Sequence, residues 1–481
     1  MKYNLIIPSV GTGKRYENAG YLIFKPLIEI FGKKMIEYVT DSFPIEINVI
    51  IIAADSKKKL LSNITFPKNY YLLYIEDHKN GPAYSIQKAL PILNSDEAFF
   101  VAYNDIVWDW DFELLMDYIT VNNPDGLVFT HQGFHPHLYN NNFSAFCKTE
   151  GNEIIEIREK SSFTNDWMNE NLSVGVFYFK NKKILKDSIN SVINNKQRVA
   201  SEYYPSLAFN YLISSGLRVI KYDVSNFVHW GVPEQLEDVL HWERVFNNEN
   251  LKHEIKICMM MCGTGERMKV VSEVNKAGIT IQGDKMCNYV FKKFNSKNNC
   301  LIVNDDTLSL AEGEAEIINI HVHTKSQTET LLQAFSFVLN TKNIIFTSND
   351  CFGFIDSHKL LELLDSDLVL FGFKASLLQQ KQDSSHTYFE TDGDLVSEIL
   401  IKTKSKTGFG LAGLFYVPDG KIFQYLSDLD LQINHSFDHF AKYLLSIGKR
   451  IKFIIIEDYV HLGTPEEYKE FLFWEKKHEK N

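Results

Sequence analysis

Gly11-Thr12-Gly13-Lys14-Arg15 returns as Gly263-Thr264-Gly265-Glu266-Arg267, and this echo decides the fold. Working outward, Lys25-Pro26-Leu27-Ile28-Glu29-Ile30-Phe31-Gly32-Lys33-Lys34-Met35 is answered by Lys276-Ala277-Gly278-Ile279-Thr280-Ile281-Gln282-Gly283-Asp284-Lys285-Met286. Asn104-Asp105 follows the apolar run Phe99 to Tyr103 as Asn349-Asp350 follows Ile344 to Ser348. Val228-His229-Trp230-Gly231-Val232-Pro233-Glu234 closes the first copy as Val460-His461-Leu462-Gly463-Thr464-Pro465-Glu466 closes the second. The offset drifts from 252 at Gly11 to 232 at His229, as expected of an old tandem duplication. The expected domains are therefore residues 1–247 and 254–481, joined by the polar stretch Asn247 to His253.

Within the first copy, β-branched apolar runs alternate with amphipathic segments, the pattern of an α/β domain with a mostly parallel sheet flanked by helices. Strands are expected near Leu5 to Ile7, Val49 to Ala53, Leu72 to Ile75, Phe99 to Tyr103, Leu127 to Thr130, Val174 to Phe179 and Arg218 to Tyr222. Helices are expected over Lys34 to Ser42, Ala83 to Leu93 and Pro233 to Phe246.

Of the 481 residues 45% are hydrophobic and 23% charged, enough for a full core in each half. A net charge of -11 without a basic cluster argues against nucleic-acid or acidic-lipid partners. No apolar run reaches the roughly 18 residues needed to cross a bilayer, and no leader pattern precedes the first strand, so a cytoplasmic location is expected. The six cysteines show no metal-binding spacing and read as reduced, buried side chains.

A glycine-rich turn after a first strand presents backbone N–H groups to phosphate oxygens, although such turns also simply reverse the chain. Arg15 and Lys25 sharpen the phosphate reading, because a guanidinium clamps two oxygens and an ammonium follows one. Asp105, at a strand end, suits a Mg²⁺ shared with substrate phosphates, the alternative being a turn or helix cap. Asp109 and Asp111 rank lower, since they alternate with Trp108 and Trp110. Gly81-Pro82-Ala83 opens a helix where a base or phosphate can come close, or is a plain helix start. Glu159-Lys160 is a candidate acceptor pair or an exposed turn. Phe134-His135-Pro136-His137 offers two imidazoles to a phosphate or metal, without forming a site alone.

In this order, these residues resemble the sugar-1-phosphate nucleotidyltransferases, the pyrophosphorylases that make nucleotide sugars on a Rossmann-like, GT-A-type domain. Gly11-Thr12-Gly13-Lys14-Arg15 with Lys25-Pro26 looks like that family's signature loop, and Gly81-Pro82-Ala83 like its nucleotide-contacting segment. Asn104-Asp105 looks like its metal-binding pair, Glu159-Lys160 its Glu-Lys, Ser173-Val174-Gly175 its Asn-Ala-Gly, and Gly231-Val232-Pro233-Glu234 its closing Gly-Thr-Pro-Glu. The resemblance implies attack by an acceptor phosphate on the α-phosphorus of an NTP, with release of pyrophosphate. It implies catalytic roles for Arg15 and Lys25, and nucleotide contacts from Gly11, Thr12, Gly13, Gly81, Pro82, Ala83 and Asn104. It further implies Mg²⁺ on Asp105, and acceptor contacts from Glu159, Lys160 and Gly175. His229 stands where many relatives carry a metal-binding aspartate. A neutral imidazole is a poor Mg²⁺ ligand, so an acceptor contact is its alternative role.

The second copy keeps Gly263, Gly265, Arg267, Lys276, Asp350, Gly413 and His461. It has Ala277 for the proline, Ser326-Gln327-Thr328 for Gly-Pro-Ala, and Ile401 beside Lys402. A diverged structural or regulatory domain is expected, with catalysis there as the alternative. Capsule or surface-polysaccharide precursor synthesis, with a sugar or polyol phosphate as acceptor, is the expected role. Other readings are a cytidylyltransferase for a polyol or amino-alcohol phosphate, a bifunctional enzyme, and a GT-A-type glycosyltransferase. Aromatics in the terminal helices, Trp242 and Trp474, suit packing of the copies as a pseudo-dimer.

Overall fold

The structure is a computed structural model. It describes residues 3–11, 13–61, 64, 70–93, 97–139, 144–248, 253–311, 315–376, 378–379, 386–403, 405, 408–429 and 436–479. Thr12 and part of the expected linker lie outside the described residues. The chain forms two compact units, Met1–Glu237 and Asp238–Asn481. The division falls inside the helix Pro233–Asn247, whose Trp242 and Phe246 pack on Phe471.

The first unit is built on a nine-stranded sheet. Its order is Tyr70–Ile75, Asn48–Ala54, Tyr3–Ser9, Ala98–Ala102, Asn171–Phe179, Gly126–His131, Val219–Asp223, Glu153–Glu159, Ala145–Glu150. The first four strands run parallel, as do Gly126–His131 and Val219–Asp223. Asn171–Phe179 runs against both its neighbours, and Glu153–Glu159 is antiparallel to its own. Every strand expected from the apolar runs is present, extended by one to three residues at one or both ends or shifted by one. Ala145–Glu150, Glu153–Glu159, the short ribbon of Glu29–Ile30 with Lys33–Lys34 and the ribbon of Ile106–Asp109 with Ser225–His229 are additions.

Central strands are buried on both faces, which is why they read as continuous apolar runs. Leu5, Ile7, Phe100 and Ala102 face one layer, with Ile36 and Val39 of the helix Met35–Asp41 and Leu115 and Ile119 of the helix Phe112–Asn122. Ile6, Phe99 and Val101 face the other, with Ile86 of the helix Pro82–Ala89, Leu185 and Ile189 of Lys182–Asn194, and Phe209 of Ala208–Ser214. The two-residue alternation of each strand thus feeds both cores of a three-layer domain. Asp111 accepts hydrogen bonds from the backbone of Glu113 and Leu114 and caps Phe112–Asn122, which accounts for its place beside Trp110.

The second unit repeats the sheet strand for strand: Glu316–Asn319, Asn299–Val303, Lys256–Met260, Lys342–Ser348, Phe409–Asp419, Leu368–Phe373, Ile451–Ile456, Leu395–Leu400, Tyr388–Asp392. The same strand is reversed, Phe409–Asp419, between antiparallel neighbours. The duplication read from the Gly-Thr-Gly echo is therefore a duplication of fold. All six cysteines are free and buried.

Candidate active site

In the first unit a cleft of about 620 Å³ opens at the carboxyl ends of Tyr3–Ser9 and Ala98–Ala102, the edge where doubly wound sheets take ligands. Its lining brings together Gly11, Gly13, Arg15 and Lys25 with Gly81, Pro82, Asn104, Asp105, Lys160 and Gly231. Gly13 has φ +65 and opens the short helix Lys14–Asn18. Tyr16 is buried there, and its hydroxyl reaches the carbonyls of Trp230 at 2.5 Å and Val232 at 3.2 Å. The glycine turn and the closing motif are thus joined across more than 200 residues of sequence.

Lys25 Nζ donates to Asp105 Oδ2 at 2.5 Å and to the Gly231 carbonyl at 3.0 Å. An ammonium has three N–H donors, so these two bonds aim the side chain and leave a third for a ligand oxygen. Asn104 donates to Ser9 Oγ at 2.8 Å, fixing the strand ends that carry the cleft floor. Arg15 is exposed at the mouth.

On the opposite wall Lys160, at φ +56, donates to Tyr204 Oη at 2.6 Å, and Tyr204 donates to Glu202 at 2.5 Å. Burial, then the bond to Glu202, raises the Tyr204 pKa, so its hydroxyl keeps its proton. Glu202, Tyr204, His78 and Tyr103 line the cleft with no motif to announce them. The only hint in the sequence is an acid beside two tyrosines ahead of Pro205.

Several expected contacts act at one remove. Glu159 is not part of the lining; it accepts from Ser206 Oγ at 2.5 Å, and burial raises its pKa against the opposing Ser206 bond and Lys160. Gly175 has φ +85, and a Cβ there would stand 2.5 Å from the Tyr103 ring, so it seats Tyr103 rather than a ligand. Ala83 is fully buried; its N–H donates to the Tyr203 carbonyl at 3.0 Å. Gly81 has φ +88, and a Cβ would meet Glu202 and the Tyr203 backbone at 2.8 Å. The Gly-Pro-Ala segment therefore docks the wall that carries Glu202 and Tyr204.

His229 is absent from the cleft lining and lies with His135 and His137. Burial, then the neighbouring His137, lowers its pKa to about 3, outweighing Asp105 and Gln235. The ring is neutral at pH 7.

The second unit has a cleft of about 350 Å³ at the corresponding edge, lined by Gly263, Gly265, Arg267, Lys276, Asp350, His461 and Gly463 among others. Lys276 Nζ lies 2.7 Å from Asp350 Oδ2, repeating the Lys25–Asp105 pair. His461 now faces the aspartate, with Nε2 3.6 Å from Asp350 and Nδ1 2.6 Å from Glu467. Burial lowers the His461 pKa, but Glu467 and Asp350 outweigh it, so on balance it is raised. Met268 replaces Tyr16 and cannot make its tie. Lys402 keeps the left-handed backbone of Lys160, φ +47, but is exposed and outside the lining of the second cleft.

Both units thus define a tandem α/β protein with a cleft lined by basic residues at the same sheet edge in each half. No family model matches the chain. Over 190 residues it is 24% identical to the mannose-1-phosphate guanylyltransferase catalytic subunit beta of Dictyostelium discoideum, covering 38% of this chain and 50% of that protein. The chain spans about half the length of the curated relative it matches. Among solved structures, the nucleoside-diphosphate-sugar pyrophosphorylase from Vibrio cholerae RC9 aligns at 19% identity and TM-score 0.39, over 49% of this chain and 98% of that one. The inositol-1-phosphate CTP transferase from T. maritima aligns at 15% and 0.38, over 49% and 91%. A UDP-glucose pyrophosphorylase complexed with UDP-glucose aligns at 15% and 0.41, over 49% and 96%. The chain resembles sugar-1-phosphate nucleotidyltransferases in sequence, and its two halves share one fold.

Proposed function

We propose that residues 1–247 form a nucleotidyltransferase domain, an EC 2.7.7 type of enzyme. It joins an NTP to a sugar-1-phosphate or related phosphate and releases pyrophosphate, serving surface-polysaccharide precursor synthesis. The observation that carries this reading is the convergence of Arg15, Lys25 and Lys160 with the Asp105 carboxylate on a single cleft at the sheet edge, where Glu202 is taken up by Tyr204. Such a set suits a reaction whose substrates are both phosphates and whose barrier is lowered by alignment and charge neutralisation.

In this mechanism the Gly11 and Gly13 backbone and Arg15 take the β- and γ-phosphates. The free N–H of Lys25 meets the α-phosphate, where negative charge grows as the acceptor oxygen attacks in line and the bond to pyrophosphate breaks. Lys160, steered by Tyr204 and Glu202, holds the acceptor phosphate. Asp105 would hold a Mg²⁺, whose part is to neutralise the triphosphate. Its carboxylate, on the cleft floor with hard oxygen donors, fits an ion that completes its shell with phosphates and water. The buried, neutral His229 is no part of that shell.

Residues 254–481 form a diverged domain that takes a phosphate ligand without turnover. Asp350 there is already engaged by Lys276 at 2.7 Å and faces the His461 ring at 3.6 Å, which leaves its carboxylate less open to a divalent ion. The retained Gly263, Gly265, Arg267 and Lys276 favour a bifunctional protein as the second reading. The test is pyrophosphate release from each NTP with Mg²⁺ and a panel of sugar-1-phosphates and polyol phosphates. Release that needs both substrates is expected. Transfer from a ready-made nucleotide sugar instead would assign a glycosyltransferase.

A further inference from the structure

We propose that His135, His137 and His229 form a binding site for one divalent transition-metal ion of the Zn²⁺ type, separate from the oxygen site at Asp105. One ligand nitrogen from each ring lies within 4.8 Å of the others. Zinc–imidazole bonds of roughly 2.0–2.1 Å place tetrahedral nitrogens about 3.3 Å apart, so small ring rotations close the site. Pro136 fixes the turn Pro136–Leu138 that presents His135 and His137, and the strand Ser225–His229 brings the third ring.

The chemistry of the rings supports this. His137 Nδ1 lies 3.0 Å from the His229 carbonyl, a bond that keeps the proton on Nδ1 and puts the ring's lone pair on Nε2. His229 Nε2 is buried and makes no hydrogen bond among the described residues. Nitrogen donors without a carboxylate select zinc, cobalt or nickel over magnesium. Three protein ligands leave a fourth position for water or a further ligand.

The second unit provides a contrast. His386, His461 and Glu467 are also close, but Glu467 is already occupied by His386 at 3.1 Å, His461 at 2.6 Å, Gln379 at 3.1 Å and Thr464 at 2.8 Å. The first copy has Gln235 where the second has Glu467. His229 is followed directly by Trp230 and Gly231, whose carbonyls hold Tyr16 and Lys25. A metal at the three histidines therefore clamps the strand that positions the lysine. It is a positioning site and does not depend on the proposed reaction.

Cobalt titration of the full-length, chelator-treated protein tests the site. The expected result is one Co²⁺ per chain with the visible bands of tetrahedral coordination, displaced by one equivalent of Zn²⁺ and untouched by millimolar Mg²⁺. The double variant H135Q/H137Q should lose the bands with its far-ultraviolet circular dichroism unchanged, and H386Q should keep them. Absence of stoichiometric binding, or bands that survive in H135Q/H137Q, overturns the proposal. If the double variant does not fold, X-ray absorption of the zinc-loaded wild type decides. Three imidazoles support the site; two imidazoles with a carboxylate, or a thiolate, refute it.

Discussion

Replacing Gly81 by alanine tests how the cleft is assembled, because the two costs of the added methyl can be separated. At φ +88 and ψ 175 the backbone sits in a region open essentially to glycine alone, and strain there costs about 1–3 kcal/mol. The Cβ would also stand 2.8 Å from Glu202 Cβ and from the Tyr203 N and O atoms, and such overpacking costs about 1–3 kcal/mol more. Both Tyr203 backbone atoms are engaged, with N–H donating to the Asn80 carbonyl at 2.8 Å and the carbonyl accepting from Ala83 at 3.0 Å. The wall cannot retreat without losing bonds. Gly20, at φ +89 with open space around its Cβ position, is the control in which only backbone strain operates. At roughly 2–4 °C per kcal/mol for a domain of this size, Gly81→Ala should lower the first transition in differential scanning calorimetry by about 4–24 °C. Gly20→Ala should lower it by roughly half as much or less. Displacing Glu202 and Tyr204 should also raise the KM for the acceptor more than that for the NTP. A Gly81→Ala protein with an unchanged transition and unchanged kinetics would refute the docking role.

Other expectations follow from the same geometry. Arg15→Ala and Lys25→Ala should each cut the pyrophosphate release rate by on the order of 10²-fold or more, with the calorimetric profile of the second domain unchanged. Arg267→Ala should leave that rate within about twofold while abolishing phosphate-ligand binding to the second cleft, read by calorimetric titration; a loss of activity comparable to Arg15→Ala would favour the bifunctional reading. The domains should also differ in pH dependence. The folded pKa of His229, about 3, lies below that of the unfolded chain, so its contribution to stability is lost as pH falls from about 6.5 toward 3. Burial raises the Asp350 pKa, but Lys276 and His461 outweigh it and depress it, so stability from Asp350 is present above about 4 and is lost below that. The raised pKa of His461 adds stability that is complete below about 6.5 and is lost as pH rises through its folded value. Denaturant midpoints measured from pH 3 to 8 should therefore show the first domain weakening from pH 6.5 downward. The second domain should hold until near pH 4.

The duplication, the strands and the candidates Lys25 and Asp105 could be read from the chain because each depends on local signals: a glycine turn, an apolar run, or a charged residue at a fixed offset, whereas the bond between those two came only from the fold. The reversal of Asn171–Phe179 leaves no such mark, since a strand buried on both faces has the same pattern in either direction. Glu202 and Tyr204 escaped notice because tertiary docking, through the bare backbone at Gly81, brings them to the cleft. Glu159 and His229 fall beside true lining residues in sequence, but alternation along a strand sends their side chains elsewhere, to Ser206 and to the histidine cluster. The Phe134-His135-Pro136-His137 motif gained meaning only when the fold supplied His229 as a third imidazole.

The most direct test of the central claim follows the α-phosphorus. With NTP labelled at the α-phosphate, Mg²⁺ and a responsive acceptor phosphate, the full-length protein should move the label into a nucleotide-linked acceptor and release unlabelled pyrophosphate in equal amount. Lys25→Ala should stop both. Label that remains in the NTP or appears as nucleoside monophosphate across the whole acceptor panel would contradict the account.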